Sequence, residues 1–339
     1  MKLLWITHRR LDQDMSSQSR HGIANALSAF GWDVKWMAPS GGDYDVKRSG
    51  VLGLGHYSFN RSVRKKLRAL DLGDFSAAIV EWTAVSGSVQ QLQHSSLPWI
   101  IMDRSPPVST KIVGWIQNLQ YREAWNMARV FASGCAVKSE YLAKSQPWTG
   151  GRAIVPAGVS LDAFTCSEMS EDPWAVVHGS ISKERGLENL WRICNKIRFI
   201  GEGNDAKRLA KLGASVEGPY NSEKLAERLS QCDVGVLHLP DRDVWRHASP
   251  LKVAEYAAAG LPVVASEVSG LEKYRHSEWM RLIPLGDTKA CKEALEELLG
   301  MDASERLRLG KLARAEAEKS MTWMHCTEEL NTLLHEVKR

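Results

Sequence analysis

The stretch SPLKVAEYAAAGLPVVAS, residues 249–266, reads as an amphipathic helix that runs straight into a buried strand. Ser249 is a good N-cap, and Pro250 suits the first helical position because its missing N–H would find no intrahelical acceptor there. Lys252 then puts a cation in the first turn, where the helix dipole and the free N–H groups favour an anion. Leu251 and Lys252 offer such N–H groups, and Glu255 follows three residues later on the same face. A diphosphate at the helix end makes the positive charge reasonable, and the carboxylate can then accept hydrogen bonds from sugar hydroxyls. The alternative is a Lys252–Glu255 surface pair, worth about a few tenths of a kcal/mol.

Outward from this stretch, short β-branched runs alternate with helical patterns. KLLWITH, DVKWMAP, AAIVEW, PWIIMD and RVFAS read as buried strands of the first half. Between the first two, RHGIANALSAFG sets Ile23, Leu27 and Phe30 at i, i+4 and i+7, and Gly31 ends the helix. That is a βαβ unit, and βαβ units build parallel sheets. The second half repeats the scheme with WAVVHG, IRFIGE, DVGVLHLP, PVVAS and RLIPLG, and with helices such as NSEKLAERLSQC between them. The polar FTCSEMSEDP, residues 164–173, reads as a linker. The expected fold class is α/β, with two doubly wound Rossmann-like domains, 1–165 and 166–320, facing each other across a cleft. Ligands of such sheets lie beyond the carboxyl ends of the strands.

The totals agree with this division. A chain of 339 residues is long for one core, and 44% hydrophobic with 25% charged residues is ordinary for a soluble globular protein. No apolar run approaches the roughly 20 residues of a membrane span. MKLLWITHRR has too short an apolar core for a signal peptide. The cysteines at 135, 166, 194, 232, 291 and 326 show no C-x-x-C pair and no metal spacing, and read as reduced thiols of a cytoplasmic protein.

The net charge of +4 is unevenly spread, with 19 Lys and Arg against 12 Asp and Glu up to residue 165, and 25 against 28 beyond it. RSVRKKLRAL, residues 61–70, concentrates the excess in Arg61, Arg64, Lys65, Lys66 and Arg68. A solvated helix face is one explanation. Attraction to anionic lipid at the inner face of a membrane, or to a phosphate-bearing acceptor, is the other. Nucleic acid is disfavoured, because no stacking motif or binding module accompanies the charge.

A second loop strengthens the phosphate reading. WAVVHGSISKERGLENLW runs a strand into Gly179, then a polar loop with Ser180, Lys183 and Arg185, then Gly186 and a helix. A glycine at a strand end with cations shortly after suits close backbone approach to phosphate.

With these residues in view, the second half resembles the nucleotide-sugar half of retaining glycosyltransferases with the GT-B fold, the large family-four, group 1 type. GSISKERG is similar to the family's G-R-L-x-x-x-K-G, with Ser180 for the arginine and Arg185 for the lysine. VPAGVSLDAF resembles its P-N-G-V-D-x-x-x-F signature, with Ala157 and Ser160 substituted. SPLKVAEYAAAGLPVVAS matches the variant P-x-K-x-x-E-Y, and Glu255 falls on the glutamate that holds the ribose hydroxyls. SMTWMHCTEEL resembles the S-W signature before a last helix, here 321–339, that packs back on the first domain. The resemblance covers about residues 150 to 339; the first half matches in layout alone.

Two positions depart from the family. His247 stands where a second glutamate, eight residues before the ribose-binding one, reaches the donor sugar. A histidine can hydrogen-bond a hydroxyl there or carry charge; a structural histidine beside Arg246 is the other reading. Ser180 removes one expected cation.

In the first half, PWIIMDRSPP ends a strand at Asp103, followed by Arg104. By resemblance Asp103 would accept or orient the acceptor hydroxyl proton and Arg104 would bind a phosphate or carboxylate; a capping Asp with a surface Arg is the alternative. Arg20, His21 and Gly22 sit at a helix start and would meet the acceptor or the donor phosphate. Three signals are set aside. DRD, residues 241–243, carries an arginine between its carboxylates and reads as a solvent loop. GEG, 201–203, lacks the rest of a dinucleotide fingerprint. The 13 tryptophans follow no repeat.

The resemblance implies transfer of a sugar, with retention, from a nucleoside-diphosphate sugar to a glycan, lipid-linked or small-molecule acceptor, with no metal and no other cofactor. Asp103, His247, Arg185 and Lys252 would carry the chemistry, and Gly179, Ser180, Lys183, Ser249, Leu251 and Glu255 would join the donor site. A catalytically silent nucleotide-sugar-binding or scaffold protein, or another GT-B enzyme such as an epimerase or phosphorylase, are the alternatives.

Overall fold

The computed structural model describes residues 1–12, 17–49, 55–104, 106–107, 112–246, 248 and 251–339. They fall into two units, Met1–Pro156 with Cys326–Arg339, and Ala157–His325.

In the first unit, β1 (Lys2–Ile6), β2 (Asp33–Ala38), β3 (Tyr44–Asp45), β4 (Ala77–Glu81), β5 (Trp99–Asp103), β6 (Gly134–Val137) and β7 (Gly151–Ile154) make one sheet. Its order is β3-β2-β1-β4-β5-β6-β7, and every pair is parallel. The crossovers are α1 (Gln18–Ala29), α2 (Gly55–Arg68), α3 (Val85–His94), α4 (Ile112–Phe131) and α5 (Glu140–Ser145). A parallel sheet covered on both faces needs apolar side chains pointing both ways. Leu3, Leu4, Trp5 and Ile6 of β1 are accordingly all fully buried. Each such aliphatic side chain contributes about 1.5–3 kcal/mol relative to exposure. The strand order reverses between β1 and β4, which makes a switch point at their carboxyl ends.

Ile23 and Leu27 bury the core face of α1 as their spacing predicts, whereas Phe30 is its half-exposed cap residue. RVFAS is not a strand. Its first residues finish α4, where Val130 is 72% and Phe131 44% exposed, and the strand is the following GCAV. A short apolar run has no period that separates the two states. The last residues of the chain close this unit. Trp32 Nε1 donates to Asn331 Oδ1 (2.9 Å), the Ile154 N–H to Glu329 Oε2 (2.7 Å), and Arg339 Nε to the Phe75 carbonyl (2.9 Å).

In the second unit, β8 (Ala175–His178), β9 (Ile197–Ile200), β10 (Ser215–Glu217), β11 (Val234–Leu237), β12 (Val263–Ser266) and β13 (Met280–Ile283) form a second parallel sheet, ordered β10-β9-β8-β11-β12-β13. Its helices are α6 (Leu187–Ile193), α7 (Ala206–Lys211), α8 (Ser222–Leu229), α9 (Asp243–Arg246), α10 (Leu251–Ala258), α11 (Thr288–Gly300), α12 (Ala303–Ser320) and α13 (Trp323–Val337), the last continuing into the first unit. Here the order reverses between β8 and β11.

The segment 164–173, expected as a linker on composition, is tied into the second unit. The Ser167 N–H donates to the Ala259 carbonyl (3.0 Å) and its hydroxyl to that of Cys232 (2.7 Å). Asp233 accepts from the N–H groups of Ser170 (2.5 Å) and Trp174 (2.9 Å). The units part instead between Pro156 and Ala157. Among the described residues no helix is long and apolar enough to cross a membrane.

Candidate functional site

Helix α10 sits where it does because of Tyr256. Its fully buried phenol donates to the Val236 carbonyl (3.1 Å) and accepts the His178 N–H (3.2 Å), so one side chain ties the helix to β8 and β11. Gly235 makes room, since a Cβ there would overlap the Tyr256 ring. Val253, Ala254, Ala257 and Ala258 bury the rest of that face. At the other end Arg314 Nη1 donates to the Ala258 carbonyl (2.6 Å) and caps the helix. The start of α10, with Leu251 as its first residue, thereby lies at the carboxyl ends of the central strands. His247, Ser249 and Pro250 lie outside the described residues.

Lys252 lies against Gly179. Gly179 takes φ +101°, and a Cβ on it would stand 2.7 Å from Lys252 Cε and 2.8 Å from Nζ. The Gly179 N–H donates to the Ile200 carbonyl (2.8 Å), which holds the turn after β8. Ser180 follows half-buried, and Lys183 is exposed with its N–H bonded to Asn204 Oδ1 (3.1 Å). Arg185 is half-buried, its Cζ 5.1 Å from the centre of the Trp245 ring.

Among the described residues neither Lys252 nor Arg185 has a side-chain hydrogen bond or ion pair. Burial lowers both pKa values. Lys252 falls to about 8, through burial first and the charge of Arg185 second, with Glu255 opposing. The Lys252–Glu255 surface pair is not what forms. Glu255 Oε2 lies instead 3.1 Å from His178 Nε2, without hydrogen-bond alignment. His178 was missed in the sequence, although it directly precedes Gly179 in WAVVHG. Two unpaired, partly desolvated cations, a helix start and a glycine backbone together suit the oxygens of a diphosphate.

In the first unit the polar residues gather at the corresponding edge. Arg20 is buried and gives Nε to Glu81 Oε1 (2.5 Å) and Nη2 to Oε2 (2.8 Å). Its guanidinium, expected to meet the acceptor or the donor phosphate, is engaged by a carboxylate of this chain. Gly22 is buried inside α1, and His21 is exposed, Nε2 3.1 Å from the Leu11 carbonyl. His8 lies beside the pair, Nδ1 3.8 Å from Glu81 Oε2 and 2.8 Å from the Thr83 hydroxyl. Burial drives its pKa down to about 3, so it is neutral. Asp103 is fully buried and accepts the Tyr121 hydroxyl at 2.5 Å; burial and this carboxylate push the phenol far up. Arg104 donates Nη1 to the Val155 carbonyl (2.7 Å), and burial brings it down to about 10.

Asp241 of DRD is exposed and pairs with Arg246. No group of three His, Cys, Asp or Glu able to hold a metal occurs among the described residues.

Two doubly wound parallel sheets in one chain, each with a switch point in its strand order, define the GT-B class. More particularly, residues 180–301 match the family described as Glycosyl transferases group 1, which bears out the resemblance drawn from the motifs. Solved structures similar to this chain include sucrose-phosphate synthase from Thermosynechococcus elongatus, at 17% identity over 99% of this chain and 98% of that one, TM-score 0.77. The Anabaena protein HepE in complex with UDP-glucose matches at 13% identity, over 99% and 100%, TM-score 0.75. Trehalose-6-phosphate synthase OtsA matches at 13% identity over 100% of both chains, TM-score 0.73. Comparison with curated protein sequences gives no match.

Proposed function

We propose that the protein is a retaining glycosyltransferase that moves a sugar from a nucleoside-diphosphate donor to an acceptor hydroxyl. The observation that carries this is Lys252, packed against Gly179 at the switch point of the second sheet and coupled to the charge of Arg185, with neither cation in an ion pair among the described residues. The group 1 match over 180–301 supports glycosyl transfer, and the similar HepE structure is a complex with UDP-glucose.

In this reading the diphosphate meets the N–H groups at the start of α10, the ammonium of Lys252 and the guanidinium of Arg185. The charge that develops on the departing diphosphate is stabilised by these groups and needs no metal; loss of one such preorganised donor typically costs about 10²–10³ in rate. Glu255 accepts from the ribose hydroxyls; the role expected of His247, a hydrogen bond to the donor sugar, falls on a residue outside those described. The acceptor, a glycan, lipid-linked or small molecule, lies at the edge of the first sheet. There Asp103, already bonded to Tyr121, acts as a positioning residue.

Contact with an anionic membrane surface belongs to the same reading. Arg61, Arg64, Lys65 and Arg68 share the exposed face of α2, a helix without a carboxylate, and Trp115, Ile116 and Leu119 are exposed on α4. Sedimentation with phosphatidylglycerol vesicles, but not with phosphatidylcholine, is the expected result.

Calorimetric titration with nucleoside diphosphates and the corresponding nucleosides tests the donor site. Lys252→Ala and Arg185→Ala should weaken the diphosphate far more than the nucleoside; equal losses would remove both residues from a phosphate site. NMR of the first-formed product should show a retained anomeric configuration, and an inverted linkage would overturn retention. Nucleotide binding without transfer to any acceptor would favour the binding or scaffold protein.

A further inference from the structure

At the carboxyl edge of the first sheet three cations, Arg20, Arg104 and Lys138, meet two carboxylates, Glu81 and Asp103. Charge coupling links Lys138 to Asp103 and Arg104, and Arg104 to Arg20 and Glu81. Two hydrogen bonds join Arg20 to Glu81. Asp103 takes the phenol of Tyr121. The carboxylate keeps its charge and acts on both Arg104 and Lys138, so three cations against two carboxylates leave the cluster with one net positive charge. Arg104 directly follows Asp103 and Lys138 directly follows Val137, and Asp103 and Val137 are register partners of β5 and β6. Neighbouring parallel strands lie about 4.8 Å apart, so the two residues leave the sheet side by side, and the charge of Arg104 acts on Lys138.

Neither of them is neutralised by an ion pair among the described residues. Lys138 has no hydrogen bond there, and Arg104 gives one N–H to a main-chain carbonyl, that of Val155. Both are partly withdrawn from water, which lowers the pKa of each. A planar fork beside a compact ammonium is the donor set that recognises phosphate or carboxylate oxygens. Its place beyond the ends of parallel strands is where such sheets hold ligands.

We propose that Arg104 and Lys138 form a subsite for an anionic group, phosphate or carboxylate, carried by the acceptor. That the anion belongs to the acceptor rests on the first unit being the acceptor side, as argued above; the anion subsite itself does not.

The test is calorimetric titration of the full chain with inorganic phosphate, glucose 6-phosphate and glucose, in a Lys252→Ala background that weakens the other phosphate site. Phosphate and glucose 6-phosphate should bind and glucose should not. Lys138→Gln should weaken both anions by about tenfold or more, as expected for loss of a charge-assisted hydrogen bond, and Lys138→Arg should keep most of the affinity. Vesicles of phosphatidic acid in phosphatidylcholine form a second arm. If their binding responds to Lys138→Gln and that of glucose 6-phosphate does not, the anion is a lipid headgroup; the converse assigns a soluble phosphate. No anion binding up to about 50 mM, or affinities for phosphate, glucose 6-phosphate and the vesicles all equal in the parent and Lys138→Gln, would overturn the subsite. A wild-type chain that binds no nucleoside diphosphate, yet shows the Lys138 effect, would keep the subsite and lose the donor reading.

Discussion

Glu255 Oε2 lies 3.1 Å from His178 Nε2, with the two side chains 12% and 7% exposed. One comes from α10 and the other from the end of β8, so the carboxylate lies beside the loop that carries Gly179.

Glu255→Ala should weaken a nucleoside and its diphosphate alike, by about tenfold or more, since a hydrogen bond to a charged group is worth about 1.5–3 kcal/mol. Calorimetry on the folded variant is the check. Unchanged affinity would remove Glu255 from the ribose.

The Lys252 pKa of about 8 gives nucleotide binding a pH dependence. Burial depresses this pKa, so the ammonium is charged well below pH 8, half charged at that value, and neutral as pH rises beyond it. A bound anion favours the charged form. Diphosphate affinity should be flat from about pH 7 to 7.5 and then fall, by up to about tenfold per pH unit, across the pKa. Lys252→Arg should flatten the profile. A profile unchanged by that substitution would assign the titration to another group.

Gly235→Ala tests what places the helix. The added methyl overlaps the Tyr256 ring, and overpacking of this kind typically costs about 1–3 kcal/mol. Urea unfolding should show that loss, and nucleotide affinity should drop with it as α10 shifts. Full stability with full affinity would mean that the Tyr256 anchor is dispensable.

Arg20→Ala leaves Glu81 buried without its partner, a change that typically costs about 3–5 kcal/mol. Burial alone would raise the Glu81 pKa, but the charge and hydrogen bonds of Arg20 outweigh it, and the net shift is downward. A depressed carboxylate stabilises the fold above its unfolded pKa, and that contribution is lost as pH falls through the folded value. Acid unfolding of the wild type should be steep in that range, and of Arg20→Ala shallower. A loss below about 1 kcal/mol would show that the pair is not structural.

In the proposed donor site Lys252 and Arg185 neutralise the departing diphosphate, so transfer activity should be insensitive to chelation. Activity abolished by EDTA and restored by Mn²⁺ would overturn this and return attention to Asp241.

The fold was legible where physics acts locally. Strands buried on both faces, such as β1, β4, β5, β8 and β12, carry apolar runs interrupted only at their ends, and they stand out as such. The short edge strands β3, β7 and β10 bury too little to leave a signal, and RVFAS failed because an apolar helix end looks like a strand. The candidate donor residues Gly179, Arg185, Lys252 and Glu255 were legible because each belongs to a strand–turn–helix pattern with a mechanism. His178, Glu81, Tyr121 and Lys138 were not, since their partners lie far away in sequence and meet them through strand order alone.

The closing segment Cys326–Arg339 also bears on how the polypeptide is made. Its Asn331, Glu329 and Arg339 complete hydrogen bonds of the first unit, and Leu333 packs against Gly134 and Gly151. On the ribosome, residues 1–156 emerge first but wait for their last helix until the whole of 157–325 has been translated. The half that is synthesised second is therefore the half that can finish folding first, and the nascent first half is exposed to chaperones for longest.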